Sequence, residues 1–161
     1  TPYAQLVDEL VCRPAGLTAT GFIRSDSLPP GVATGYLDAE AMRTNALHLP
    51  VFGIGDGGLF TTVGDVRRFW LALFDGRIVS PASVESMTRP RSDVPEEGAR
   101  YGLGFWLHEH GPGVQLEGYD AGVSFRSWHR PDTGVTCTVI GNWSDAAWPV
   151  ARALREALDS V

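Results

Sequence analysis

Between Leu103 and Asn142 the side chains alternate in character through four successive runs, with turns between them. Leu103, Phe105 and Leu107 alternate with Gly104, Trp106 and His108, and Val114 to Gly118 makes a second run. Val123, Phe125, Ser127 and His129 alternate with Ser124, Arg126 and Trp128. Pro131-Asp132-Thr133-Gly134 is a turn that leads into the β-branched run Val135 to Asn142. A period of two marks a half-buried strand. Ser144 or Asp145 then caps a closing helix with Ala147, Val150, Ala151, Leu154 and Leu158 on one face. Four strands joined by turns and closed by a helix describe an α+β fold, an antiparallel sheet flanked by helices.

The first hundred residues follow other periods. Thr1-Pro2 opens a helix on which Tyr3, Leu6, Val7, Leu10 and Val11 recur at helical spacing, ended by Pro14 and Gly16. Residues 17–51 carry little periodicity, with a turn at Leu28-Pro29-Pro30-Gly31 and a short strand pattern at Gly35-Tyr36-Leu37. The glycine-dense stretch Gly53 to Gly58 is no nucleotide fingerprint, because no strand leads into it and the helix starts too late. Thr62-Val63-Gly64-Asp65 reads as a capping box before a helix with Val66, Phe69, Trp70 and Leu73 on one face, stopped by Asp75-Gly76. Ser80-Pro81 opens a second helix, with Val84 and Met87 inward and Arg89-Pro90 at its end. The organisation expected is one domain or fragment over 1–161, helical and loop-rich through 1–100, with strands and the last helix in 101–161.

Composition narrows the function classes. The chain has 161 residues, 43% apolar, with a net charge of −6; this suits a packed core and argues against disorder. Its thirteen basic residues are all arginine and are scattered, so no basic stripe marks a nucleic-acid partner. No apolar run approaches the length of a membrane span, and no signal peptide is visible. Cys12 and Cys137 read as two small buried hydrophobes rather than a disulfide. His48, His108, His110 and His129 are dispersed, without ligand spacing, so no metal site is expected and no cofactor is implied. His108 and His110 flank Glu109 in what reads as a solvated turn before Gly111-Pro112-Gly113.

Three segments together carry a family resemblance. Gly57-Gly58-Leu59-Phe60-Thr61-Thr62-Val63-Gly64-Asp65 resembles the Gly-Gly-Leu-x-Ser/Thr-Thr-x-x-Asp segment of serine β-lactamase-like and penicillin-binding-protein-like hydrolases. Tyr101-Gly102-Leu103-Gly104-Phe105-Trp106 resembles their Tyr-Gly-Leu-Gly-Trp strand, and Pro14 to Thr20 resembles their Pro-Leu-Gly-Met-x-x-Thr. Order and spacing fit the class C-like branch over nearly the whole chain. The resemblance implies a β-lactamase/transpeptidase-like fold and acyl-enzyme hydrolysis of an amide or ester by a serine.

The family's first two motifs are absent. Ser-x-x-Lys cannot occur without lysine, and Tyr3, Tyr36, Tyr101 and Tyr119 are followed two residues on by Gln5, Asp38, Leu103 and Ala121, so there is no Tyr-x-Asn. In the family both precede the region that Thr1 would match. The chain is therefore expected to be the C-terminal part of a longer hydrolase, incomplete relative to the family fold, with no catalytic residue of its own. The third motif, Lys/His-Thr/Ser-Gly, is matched without gaps by Leu116-Glu117-Gly118, continuing Tyr119-Asp120-Ala121-Gly122-Val123, so that Gly118 and Gly122 fall on the expected glycines. A shifted match puts Tyr119-Asp120-Ala121 on the motif and loses its glycine. Leu116, Glu117, Gly118 and Tyr119 are the candidate cleft-lining residues. The resemblance implies that the Tyr119 backbone N–H serves the oxyanion hole. Leucine cannot attract a carboxylate and glutamate repels one, so a neutral ester or amide fits better than a β-lactam or a D-Ala-D-Ala terminus.

Plainer readings stand beside these. Glu117 and Asp120 read as a solvated β-turn before a carboxylate pair, and Ser124 as a strand serine before a nucleophile. Trp106, Trp128, Trp143 and Trp148 read as core or helix-packing residues, and Arg126 as lying outward on the sheet. The alternative to a hydrolase part is a non-catalytic binding or scaffolding module on the same fold. A truncated sheet also invites self-association or retention of a separate N-terminal piece.

Overall fold

The computed structural model describes residues 1–40 and 42–159, without the side chains of 158 and 159; the expected inward position of Leu158 thus lies outside the described residues. Helix α1 (Tyr3–Val7) passes through a π-type turn (Asp8–Cys12) into α2 (Arg13–Ala15), and Gly16 stops the run. Pro2, not Thr1, holds the N-cap position, and no side chain caps this end. The expected apolar stripe is not buried: Tyr3, Leu6 and Leu10 are exposed, while Cys12 and Ala15 reach the interior. A turn closed by i→i+5 bonds breaks the 3.6-residue phase that the spacing assumed.

Helix α3 (Val63–Phe74) begins as the sequence implies, with the Thr62 hydroxyl accepting from the Asp65 N–H. The other half of the capping box is missing. Asp65 is fully buried, and its carboxylate accepts from the Ala19 N–H at 2.8 Å, the Thr20 hydroxyl at 2.7 Å and the Arg68 guanidinium at 2.6 Å. Aspartate is one methylene shorter than glutamate and turns to the neighbouring loop rather than back along its own helix. Helix α4 (Pro81–Thr88) is capped by Ser80.

Six strands follow, each antiparallel to the next and laid side by side in chain order: β1 (Ser92–Val94), β2 (Ala99–Tyr101), β3 (Trp106–His108), β4 (Val114–Asp120), β5 (Val123–Arg130) and β6 (Val135–Gly141). β1 and β2 are too short for the pattern reading to find. Leu103 and Gly104 are not in a strand: Gly104 takes φ 84°, the Gly102 N–H donates to the Phe105 carbonyl, and Leu103 is half exposed. Helix α5 (Ala147–Asp159) ends the fold. No helix among the described residues is long and apolar enough to cross a membrane.

Register sorts the sheet's two faces. Leu107, Val114 and His129 stand in one row, with Leu116 opposite Ser127 in the next. This face meets α3: Trp70 is fully buried, donates its indole N–H to the Ser127 hydroxyl at 2.8 Å, and stacks on His129 at 5.7 Å. Val66, Leu73, Val84 and Phe105 complete that core. The opposite face carries Trp106, Gln115 and Trp128 in one row and Glu117 and Arg126 in the next, with α5 packed on β5 and β6.

Two buried groups contribute to the acid response. Burial pushes Asp65 up, but the hydrogen bonds from Thr20, Ala19 and Arg68 outweigh it, and its carboxyl titrates below its ordinary value. Burial alone pushes His129 down. Each group takes up a proton more readily unfolded than folded. Its stabilisation is therefore complete above the unfolded value and disappears as pH falls through the folded one. The urea midpoint should decline as pH falls below about 6.5, where unfolded histidine titrates, and again below about 4, where unfolded aspartate does. Asp65→Asn should shrink the lower step and leave the upper; an unchanged lower step would contradict this role for Asp65.

Candidate functional site

β4 is paired unequally on its two sides. All seven of its residues pair with β5, from Val114↔His129 to Asp120↔Val123. Towards β3 only Gln115↔Trp106 and Val114↔Leu107 pair, so among the described residues 116–120 have no strand on that side. Backbone polar groups of an antiparallel strand alternate between its two edges. The His108 N–H donates to the Gly113 carbonyl at the β3 edge. Counting by twos from there, the N–H and C=O of Glu117 and Tyr119 address the open edge.

The candidate residues Leu116, Glu117, Gly118 and Tyr119 are four consecutive positions along this half-paired stretch. Leu116 faces α3 and packs against the core. A Cβ added to Gly118 would meet nothing within 4 Å, so no neighbour among the described residues requires glycine there. Tyr119 is 75% exposed and touches the Trp148 ring edge-on at 6.4 Å. Glu117 is not in a turn. It lies mid-strand, and its Oε2 is in an ion pair with Arg126 Nη2 at 2.6 Å and accepts from Arg126 Nε at 2.8 Å and Gln115 Nε2 at 2.9 Å. Arg126 does lie on the sheet's outer face, but it is held there, its guanidinium 5.0 Å from the centre of the Trp148 ring.

The turn after β4 is tightly fixed. Asp120 Oδ1 accepts the Ala121 N–H at 2.6 Å. Asn45 donates to the Ala121 carbonyl at 3.0 Å, and a Cβ on Gly122 (φ 74°) would fall 2.8 Å from Asn45. Ser144 donates to the Asp120 carbonyl and accepts the Gly122 N–H, so it clips this turn instead of capping α5. The first N–H of α5, that of Ala147, is taken by Ser124 from β5 at 2.9 Å. Ser124 is fully buried and donates to the Trp143 carbonyl at 2.8 Å. With both hydrogen-bonding roles used and no access, Ser124 is a strut rather than a nucleophile.

A cavity of ≈ 560 Å³ opens on the outer face beside β4, within the range usual for ligand sites of about 300–1,000 Å³. Trp106, Tyr119 and Trp148 wall it, and the Glu117–Arg126 pair lies in it. Trp106 and Trp148 are thus half-buried in the cavity wall, and Trp148 packs α5 on the sheet against Arg126 and Tyr119. Glu97, just before β2, and Asp145, just before α5, also line it; the sequence offered no motif for either. Among the described residues no cluster of His, Cys, Asp and Glu has the arrangement of a metal site.

The family model described as Beta-lactamase matches residues 1–161. A Bacillus subtilis (strain 168) protein named for penicillin binding, PbpX, is 32% identical over 110 residues, covering 66% of this chain and 26% of that protein. Protein Rv1367c of Mycobacterium tuberculosis (strain ATCC 25618 / H37Rv) is 34% identical over 120 residues, covering 66% of this chain and 30% of its own. The crystal structure of a penicillin binding protein from Bacillus halodurans superposes with a TM-score of 0.87 at 32% identity, over 96% of this chain and 48% of that one. The chain thus spans less than a third of these two curated relatives and about half of this solved one.

Ser124→Ala tests the strut. It removes the acceptor for a buried helix N–H and the donor to a buried carbonyl, at a cost of about 1–3 kcal/mol. A urea melt should show it as a lower midpoint, with reactivity towards serine-directed probes unchanged.

Proposed function

The chain belongs to the Beta-lactamase family, a family of serine hydrolases in fold and motif, and from that premise we propose that it supplies the third-motif wall of an acyl-transfer cleft. The open edge of β4 is the observation that carries this reading. An extended amide or ester can lie against Glu117 and Tyr119 backbone groups there, and bare Gly118 leaves room for its approach. The Tyr119 N–H then serves as one oxyanion donor, which depends on backbone position and not on the side chain. The attacking serine and its lysine base stand on residues other than 1–161, since these contain no lysine. Whether those residues belong to the same polypeptide or to a bound piece, they face this edge.

The substrate side is a small amide or ester rather than a carboxylate-bearing one. Leu116, where the motif calls for a cation, packs against the core and offers no charge. The same observation favours a second reading, a binding module on a fold that has lost its chemistry, because Arg126 is already engaged by Glu117.

The 161-residue chain should show no fluorophosphonate labelling at any serine and no ester hydrolysis above buffer. Labelling would place the nucleophile within these residues and overturn the proposal. In a polypeptide that also carries Ser-x-x-Lys, Tyr119→Pro should lower kcat about 10²–10³-fold, the loss typical of one oxyanion donor. Proline removes only an N–H directed at the open edge, so the β4–β5 ladder survives it. Tyr119→Ala, which keeps that N–H, should cost far less; equal losses would assign the effect to the side chain, and no turnover in either parent would favour the binding module.

A further inference from the structure

The cavity beside β4 has a charge pattern that the hydrolase reading does not use. It is lined by three carboxylates, Glu97, Glu117 and Asp145, against one guanidinium, Arg126. The Glu117–Arg126 pair does not cancel Glu117 completely as an acceptor. Both hydrogen-bond donors to Glu117 and its ion-pair contact with Arg126 Nη2 fall on Oε2, and Oε1 receives no hydrogen bond among the described residues. Among the described residues neither Glu97 nor Asp145 forms an ion pair. The remaining lining is Gly118 and the rings of Trp106, Tyr119 and Trp148, whose faces attract cations as carboxylates do. Arg126 already uses the Trp148 ring in this way.

We propose that this cavity is a binding site for an ammonium group attached to an apolar body. The cation sits among Glu117 Oε1, Glu97 and Asp145, and the body lies against Trp106 and Tyr119. The inference rests on the reading of β4's open edge as the substrate-facing edge, and deepens it: the amide or ester laid there carries a positively charged substituent. A carboxylate ligand would meet net negative charge, and a neutral donor could bond Oε1 but would leave that charge uncompensated.

The experiment keeps the ring and changes only the charge. Benzylammonium, benzyl alcohol and benzoate are titrated into the 161-residue chain at low ionic strength while the indole N–H resonances are followed by NMR. Benzylammonium should shift the Trp106 and Trp148 signals saturably and leave Trp70, on the other face of the sheet, unmoved. Benzyl alcohol should bind more weakly and benzoate not at all. Glu97→Gln and Asp145→Asn should each weaken benzylammonium about two- to five-fold, the usual worth of an exposed charge pair. Added salt should weaken it further. Glu85→Gln, an exposed carboxylate on α4 outside the cavity, should change nothing, which separates the site from general attraction to a chain of charge −6. No saturable shift, equal shifts from benzoate, or an affinity indifferent to both cavity substitutions would each overturn the proposal. Binding is read without turnover, so an absence of acyl transfer would count against the hydrolase reading and leave this result standing.

Discussion

Strand β4 is hydrogen-bonded along its whole length on one side and at only two positions on the other. Everything assigned to the site depends on that asymmetry. A strand paired on both edges has no backbone groups left for a ligand, and one unpaired on both has no fixed position. Pairing with β5 over seven residues sets the position, while the short β3 stops at Trp106 and leaves residues 116–120 without a strand on that side among the described residues. The turn at Ala121-Gly122 is pinned by Asn45 and Ser144, so the open edge is held at its far end as well. Rigid support beside an unused edge is the arrangement a preorganised donor needs.

The helical half is tied to itself by one carboxylate. Asp65 lies on α3, yet two of its partners, Ala19 and Thr20, are about 45 residues away in sequence. Two of the segments that carry the family resemblance therefore meet at a single buried charge. The loop needs this bond because residues 17–62 have few regular backbone pairings of their own. A buried carboxylate with three good donors is satisfied, and losing any of them leaves the others around an under-paired charge.

Much of this was legible in sequence. The four long patterns gave the sheet's centre, because alternation survives wherever one face is buried, and Thr62 and Ser80 marked their helices correctly. Three-residue strands such as β1 and β2 carry no measurable period, and Tyr3, Leu6 and Leu10 had the right spacing with nothing to bury them. At the site, the Glu117–Arg126 pair could have been found: a two-residue turn at Ala121-Gly122 sets residue 117 opposite residue 126. The contributions of Glu97 and Asp145 could not, because each depends on how a loop outside β4 and β5 folds back over the sheet.

The departures at Leu116 and Glu117 then have a joint physical meaning. Two unit charges 4 Å apart interact by about 1 kcal/mol in bulk water and about 4 kcal/mol near a protein surface, so the sign lining a half-buried cleft changes binding by about five-fold or more. A lysine or histidine at 116 would have favoured anions. Leucine removes that preference on the face towards α3; on the outer face, under the proposed reading, Glu117, Glu97 and Asp145 favour a cation, with Arg126 offsetting only part. Loss of a motif cation alone would make a site indifferent to charge. Under that reading, loss combined with added carboxylates beside an open strand edge would change selectivity instead, and neither substitution removes the backbone groups of that edge.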